Sequence, residues 1–206
     1  PLLVLDGGGK VTLDGVGRRR ILYQNTCDRR QVWTTAHCQN QATPRLIVKR
    51  MRFARGNSTG ERTDGGGGGA IFARGTLDLE RVTIAENSAS NRGGGIYFSN
   101  SGLATLTNVT ISGNTATSGG GGLFNFSTDV TVVNGTIANN STGIGTSGSP
   151  TTRLKNTIID NAGINADATL TSLGNNIDSD GTAGLGDILD GADPALGVLQ
   201  DNGGTT

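Results

Sequence analysis

Residues 104–114 read Ala104-Thr105-Leu106-Thr107-Asn108-Val109-Thr110-Ile111-Ser112-Gly113-Asn114. Ala104 and Leu106 lie two apart, as do Val109 and Ile111, but three residues separate Leu106 from Val109. Each half alternates with the period of a strand, and one residue between them shifts the phase. The reading is a strand, a small bend and a second strand segment.

The pattern recurs. Aligned on Phe53, Ile84, Ile111, Ile137 and Ile159, five segments repeat it at offsets −7, −5, −2 and 0. The −7 positions hold Leu46, Leu77, Ala104, Val130 and Thr152, and the −5 positions Val48, Leu79, Leu106, Val132 and Leu154. The −2 positions hold Met51, Val82, Val109, Gly135 and Thr157. Three residues after the anchor stand Asn87, Asn114 and Asn140. Asn161 comes one residue early in the last copy, and Asn57 one late in the first. Asn tolerates the left-handed conformation of a tight turn and can bond from coil to coil when stacked, so these residues are expected to be structural.

Glycine runs fall between the anchors. Gly65 to Gly69 precede Ala70-Ile71-Phe72, Gly93 to Gly95 precede Ile96-Tyr97-Phe98, and Gly119 to Gly122 precede Leu123-Phe124. Each suits a sharp corner entering a second sheet. None is a nucleotide loop, because the Gly-Lys-Ser/Thr ending and the following helix are missing.

One such repeat cannot bury its own apolar face, but stacked copies bury Ile on Ile and Val on Val. Leucine-rich repeats need tighter Leu and Asn offsets, and propeller blades need longer repeats with aromatic signatures. The expectation is an all-β parallel β-helix of about six to seven coils. It is read as one domain over 1–206: a first coil and loop at 1–45, regular repeats at 46–162, and a C-terminal coil with a loop-rich cap at 163–206.

Composition agrees. Gly is 35 of 206 residues, and only eight residues are aromatic. Glycine at this density would break the helices of a bundle, and it lacks the strict three-residue period of collagen. No apolar run reaches the ~20 residues of a membrane-spanning helix. Lys+Arg and Asp+Glu are 17 each, which argues against a general polyanion binder, so nucleic acid is not an expected partner. The balance hides an asymmetry. Residues 1–63 hold twelve basic and four acidic side chains, and residues 150–206 two and eight. Opposite ends imply that the chain joins itself head to tail, and into filaments where the rotation does not close.

The remaining chemistry is sparse. Asp78 and Glu80 lie two apart on one face of one strand, a carboxylate pair that could do acid–base work, although a solvated face near Arg81 is the simpler reading. Asp178-Ser179-Asp180-Gly181 resembles the start of a calcium loop without its closing Glu, so Asp178 and Asp180 are weak calcium candidates and no cofactor is expected. Arg18 to Arg20, Arg29-Arg30 and Lys49 to Arg55 form a basic region that could face an anionic surface glycan. Cys27 and Cys38 are expected to form a disulfide in a polar loop, with Trp33 near it. Zinc is not expected, because His37 is the only histidine.

Gly-Gly-Gly-Ile-Tyr-Phe (93–98) with Val-Thr-Ile-Ser-Gly-Asn (109–114) resembles the right-handed β-helix repeats of bacterial polymorphic outer-membrane proteins. Leu-Gly-Asn-Asn-Ile (173–177), Asp-Pro-Ala-Leu-Gly (193–197) and Asp-Asn-Gly-Gly-Thr (201–205) resemble the tail of bacterial β-helix surface proteins with interchangeable anchors. Leu-Asp-Gly-Gly-Gly-Lys-Val-Thr-Leu (5–13) is similar to first coils of the pectate-lyase-like superfamily. The resemblance implies a right-handed β-helix and a secreted or cell-surface bacterial setting. It is weak for activity, because this scaffold carries lyases, hydrolases, adhesins and spacers alike. The function expected is a structural or adhesive extracellular module. The alternative is a polysaccharide lyase or hydrolase, or a glycan-binding domain.

Overall fold

The computed structural model describes residues 2–24, 45–60, 65–99, 102–168, 170–187, 189–197 and 199. Cys27, Cys38, Trp33 and His37 lie outside the described residues. Among the described residues every named element is a strand, and none is a helix that could cross a membrane. Every strand pairing is parallel, and the chain winds as a right-handed β-helix.

The first strands are β1 (Leu2–Asp14), β2 (Leu22–Gln24), β3 (Arg45–Ala54), β4 (Ile71–Ala73) and β5 (Thr76–Ala85). The main sheet starts with β1, β3 and β5 paired in register. Beyond β5 each coil contributes two segments: Leu103–Thr107 and Thr110–Ser112, then Asp129–Val133 and Thr136–Ala138, then Thr151–Lys155 and Ile158–Asp160. The second sheet stacks β2, β4, Ile96–Ser99, Leu123–Phe126 and Ile144–Ser147. A short third sheet pairs Ser88–Ala89 with Thr115–Ala116.

The sequence offsets become columns. Leu13, Phe53, Ile84, Ile111, Ile137, Ile159, Asp178 and Asp190 follow one another in register. That column has eight levels joined by seven turns of the chain, with β1 and the two-residue strand Leu189–Asp190 at its ends. Phe53 to Ile159 are fully buried, and each contributes about 1.5–3 kcal/mol by leaving water. Leu22, Ile71, Ile96, Leu123 and Ile144 form the facing column of the second sheet.

The phase shift is a single left-handed residue. Arg50, Arg81, Asn108, Asn134, Asn156 and Asn175 occupy it with φ between 50° and 59°. In the last four copies the side chains form an exposed ladder, with Asn134 Nδ2 donating to Asn108, Asn156 to Asn134 and Asn175 to Asn156 at 3.0–3.2 Å.

The glycine runs do two jobs. Gly68, Gly93 and Gly120 take φ near +60° to +68°. Gly69 and Gly94 take ordinary angles but leave no room: a Cβ on Gly94 would lie 2.3 Å from the Thr115 carbonyl oxygen and 2.4 Å from that of Gly121. The corner is tight because the next coil's backbone passes against it.

Candidate functional site

Among the described residues, three side-chain systems could carry function: the charged outer face of the main sheet, the asparagine corner, and the outer face of the second sheet.

Strand β3 is rich in cations because it lies between two acidic neighbours. Arg50 donates to Asp6, and Arg55 to Asp14, both on β1. On the other side Arg45 donates to Asp78 at 2.9 Å, Lys49 meets Glu80 at 2.8 Å, and Arg52 donates to Glu86 at 2.8 Å. The basic run from Lys49 to Arg55 is therefore paired within the solenoid rather than displayed as a free cationic patch. Asp78 and Glu80 do share a face, but each is turned to a cation of the neighbouring coil. The hydrogen bond from Lys49 holds the Glu80 carboxyl below its ordinary value, and Arg50 and Arg55 do the same for Asp6 and Asp14. Carboxylates held ionised in this way are poor general acids near neutral pH.

The asparagine corner is buried. Asn87, Asn114 and Asn140 are at most 1% exposed. Asn87 Nδ2 donates to Asn114 Oδ1 at 2.8 Å, Asn114 to Asn140 at 2.9 Å, and Asn140 to Asn161 at 2.8 Å. Each Nδ2 also donates to the anchor carbonyl one coil back, at Phe53, Ile84 and Ile111. Each Oδ1 accepts the backbone N–H of the preceding asparagine as well. The ladder thus satisfies backbone groups that the corner removes from the sheets.

Two sequence expectations need correction here. The ladder asparagines are not the left-handed residues; Glu86, Gly113 and Asn139, one position earlier, are. Asn57 does not join the ladder. Gly56 stands at that level and donates its N–H to Asn87 Oδ1, while Asn57 Nδ2 reaches the Gly17 carbonyl.

The ladder runs on through Asn161 to Asn165, and Asn165 Nδ2 donates to Asp178 Oδ1 at 2.8 Å. Asp178 is fully buried, at the level where earlier coils place isoleucine. Burial pushes its pKa up, against the hydrogen bonds from Asn165 and Ala183. All four oxygens of Asp178 and Asp180 accept protein donors: Asn165 Nδ2 and Ala183 N on the first, Thr182 and Asn165 N on the second. This chemistry closes the ladder. Among the described residues no cluster of three or more His, Cys, Asp or Glu is set to hold a metal.

The third system escaped the sequence reading. Tyr23, Phe72, Tyr97 and Phe124 stack along the outer face of the second sheet, with ring centroids 5.1–5.3 Å apart. Arg20 lies over Tyr23 and Phe72, Arg74 over Phe72, and Arg92 over Phe124. Phe72 and Phe124 are 1% and 2% exposed, so their rings are spent on the stack. The signal was the aromatic residue directly after Ile71, Ile96 and Leu123, a position that strand alternation assigns to the outside. Gly145 ends the column, since a Cβ there would come 2.7 Å from the Phe124 ring.

Comparison with curated proteins and with solved structures found no match. The family model for a right handed β-helix region matches residues 36–193. Parallel register through every coil, stacked apolar columns and that match over most of the chain lead to one conclusion: the chain belongs to the right-handed β-helix family.

Proposed function

We propose that this β-solenoid is a structural or adhesive module of a bacterial surface or secreted protein. The observation that carries the reading is how the charged groups are used. On the outer face of β1, β3 and β5, Asp6, Asp14, Asp78, Glu80 and Glu86 each face a cation of an adjacent coil. A lyase or glycoside hydrolase on this scaffold needs convergent carboxylates with oxygens free for a proton or a cation. Asp78 and Glu80 are instead tied to Arg45 and Lys49, and Asp178 and Asp180 to the asparagine ladder. These paired groups serve coil stacking.

The test is incubation of the purified chain with polygalacturonate, alginate and related polymers, followed by assay for unsaturated and reducing ends. No product above a heat-denatured control is expected. Product that grows with protein concentration and disappears in Glu80→Gln would overturn the structural reading in favour of a carbohydrate-active enzyme.

A further inference from the structure

Carboxylates are used differently along the solenoid. Asp6, Asp14, Asp78, Glu80 and Glu86 each face a cation. Residues 156–206 hold eight aspartates and no Lys, Arg or His. The deepest of these is Asp178, fully buried one level beyond Ile159 in the core column.

Asp180 is held against it. Asn165 bridges the two, its Nδ2 donating to Asp178 Oδ1 at 2.8 Å and its N–H to Asp180 Oδ2 at 3.0 Å. Consecutive residues do the same from the other side. Thr182 N–H and Oγ1 donate to Asp180 Oδ1, and Ala183 N–H donates to Asp178 Oδ2 at 2.7 Å. The two carboxyls are thereby in hydrogen-bond contact. Ionised carboxylates only accept, so that contact needs a proton between them. Two like charges side by side and shielded from water also disfavour ionising both.

The surroundings supply no cation to relieve the pair. On the strand Ile158–Asp160, Asp160 accepts from Ser179 Oγ. Asp190, in register with Asp178, accepts from the Gly186 N–H, and Asp187 accepts from Ser172 Oγ and Asn176 Nδ2. Asp167 accepts from Thr146. On the strand Thr151–Lys155, Arg153 is turned to Asp129 and Lys155 is exposed. Among the described residues, the ionisable neighbours of the pair are acidic, and each favours retention of the proton.

We propose that Asp178 and Asp180 hold one proton between them, resident on Asp178, and that this proton latches residues 179–185 onto the asparagine ladder, so that these coils close more tightly in acid than at neutral pH. The latched segment carries buried Ala183 and Leu185, and the Leu170 N–H donates to the Ala183 carbonyl. Loss of the proton leaves two adjacent anions that push the segment away from Asn165. Burial raises the folded pKa of Asp178, so its contribution is complete below the ordinary aspartate range and is lost as pH rises through the raised value. Asp6, Asp14 and Glu80 respond in the opposite sense. Hydrogen bonds from Arg50, Arg55 and Lys49 hold them low, so they support the first coils above the ordinary range and lose that effect as pH falls through the lowered values. This device is independent of the structural role proposed above.

Carbon-detected NMR titration of the full chain, with amide hydrogen exchange corrected for intrinsic rates, tests the latch. Asp178 is expected to titrate above the ordinary aspartate value of about 3.9. Protection of the Ala183 and Leu170 amides is expected to be about tenfold higher at about pH 4 than at about pH 7. Asp178→Asn should abolish that gain, while Asp160→Asn, at a half-buried neighbour, should keep it. The wild-type titration decides the matter even where Asp178→Asn fails to fold. An Asp178 midpoint at or below the ordinary value overturns the proposal. So does equal amide protection at both pH values, or a gain that survives Asp178→Asn.

Discussion

Asn114→Ala is expected to lower the melting temperature by about 10 °C. The substitution removes the middle rung of the buried ladder. Asn87 loses the acceptor for both its N–H, at 2.9 Å, and its Nδ2, at 2.8 Å. The Ile84 carbonyl loses the Nδ2 donor at 3.0 Å. No water reaches these groups, because Asn87 and Asn114 are buried. Each orphaned buried group costs about 1–3 kcal/mol, so three of them total at least about 3 kcal/mol. A solenoid sums neighbour-to-neighbour terms, and this rung joins two central coils with apolar columns on both sides. Asn134→Gly is the control. It cuts the exposed ladder at a left-handed position glycine adopts freely, and water replaces the lost bonds. A shift for Asn114→Ala no larger than the control's would show that the buried ladder contributes nothing beyond its turn.

Gly94→Ala is expected to destabilise by the upper end of the overpacking range, about 3 kcal/mol, for a different reason. The added methyl would meet two carbonyl oxygens of the next coil, at 2.3 and 2.4 Å. Neither is the tip of a flexible side chain, so the coils themselves must separate. Separation there strains the hydrogen bonds Gly94 N–H makes to Gly120 and Gly95 N–H to Gly121, at 3.2 and 3.0 Å. Gly197→Ala meets nothing within 4 Å and should fall within about 0.5 kcal/mol of wild type. Urea denaturation of both variants measures the difference. Equal midpoints would contradict the close packing of the corner.

Much of this fold was legible in the sequence because columns are periodic. Leu46, Val48, Met51 and Phe53 recur at fixed offsets, and parallel register converts equal offsets into contact. The ladder positions were legible too, but not their conformation. A buried Asn and a left-handed Asn look alike in sequence, and here they alternate along one turn, Asn139 left-handed and Asn140 in the ladder. The continuation from Asn161 to Asn165 and Asp178 broke the period: the step falls from 26 residues between Asn114 and Asn140 to four between Asn161 and Asn165.

The charged face was hard to read for a related reason. Arg45 and Asp78 lie 33 residues apart in sequence, so the basic run of β3 stood out while its partners were scattered on flanking coils. The aromatic stack was missed because alternation assigns Phe72 and Phe124 to a solvated face. The Arg20, Arg74 and Arg92 guanidiniums beside those rings make that face a second, smaller packed layer.

Asparagine side chains inside the corner hold the coils together. Side-chain amide hydrogen exchange, resolved residue by residue by NMR, tests it most directly. The Nδ2 protons of Asn87, Asn114 and Asn140 are predicted to exchange as slowly as the backbone amides of Ile84 and Ile111, through global unfolding. Those of exposed Asn108, Asn134 and Asn156 should exchange much faster. Equally fast exchange in both sets would contradict the buried ladder.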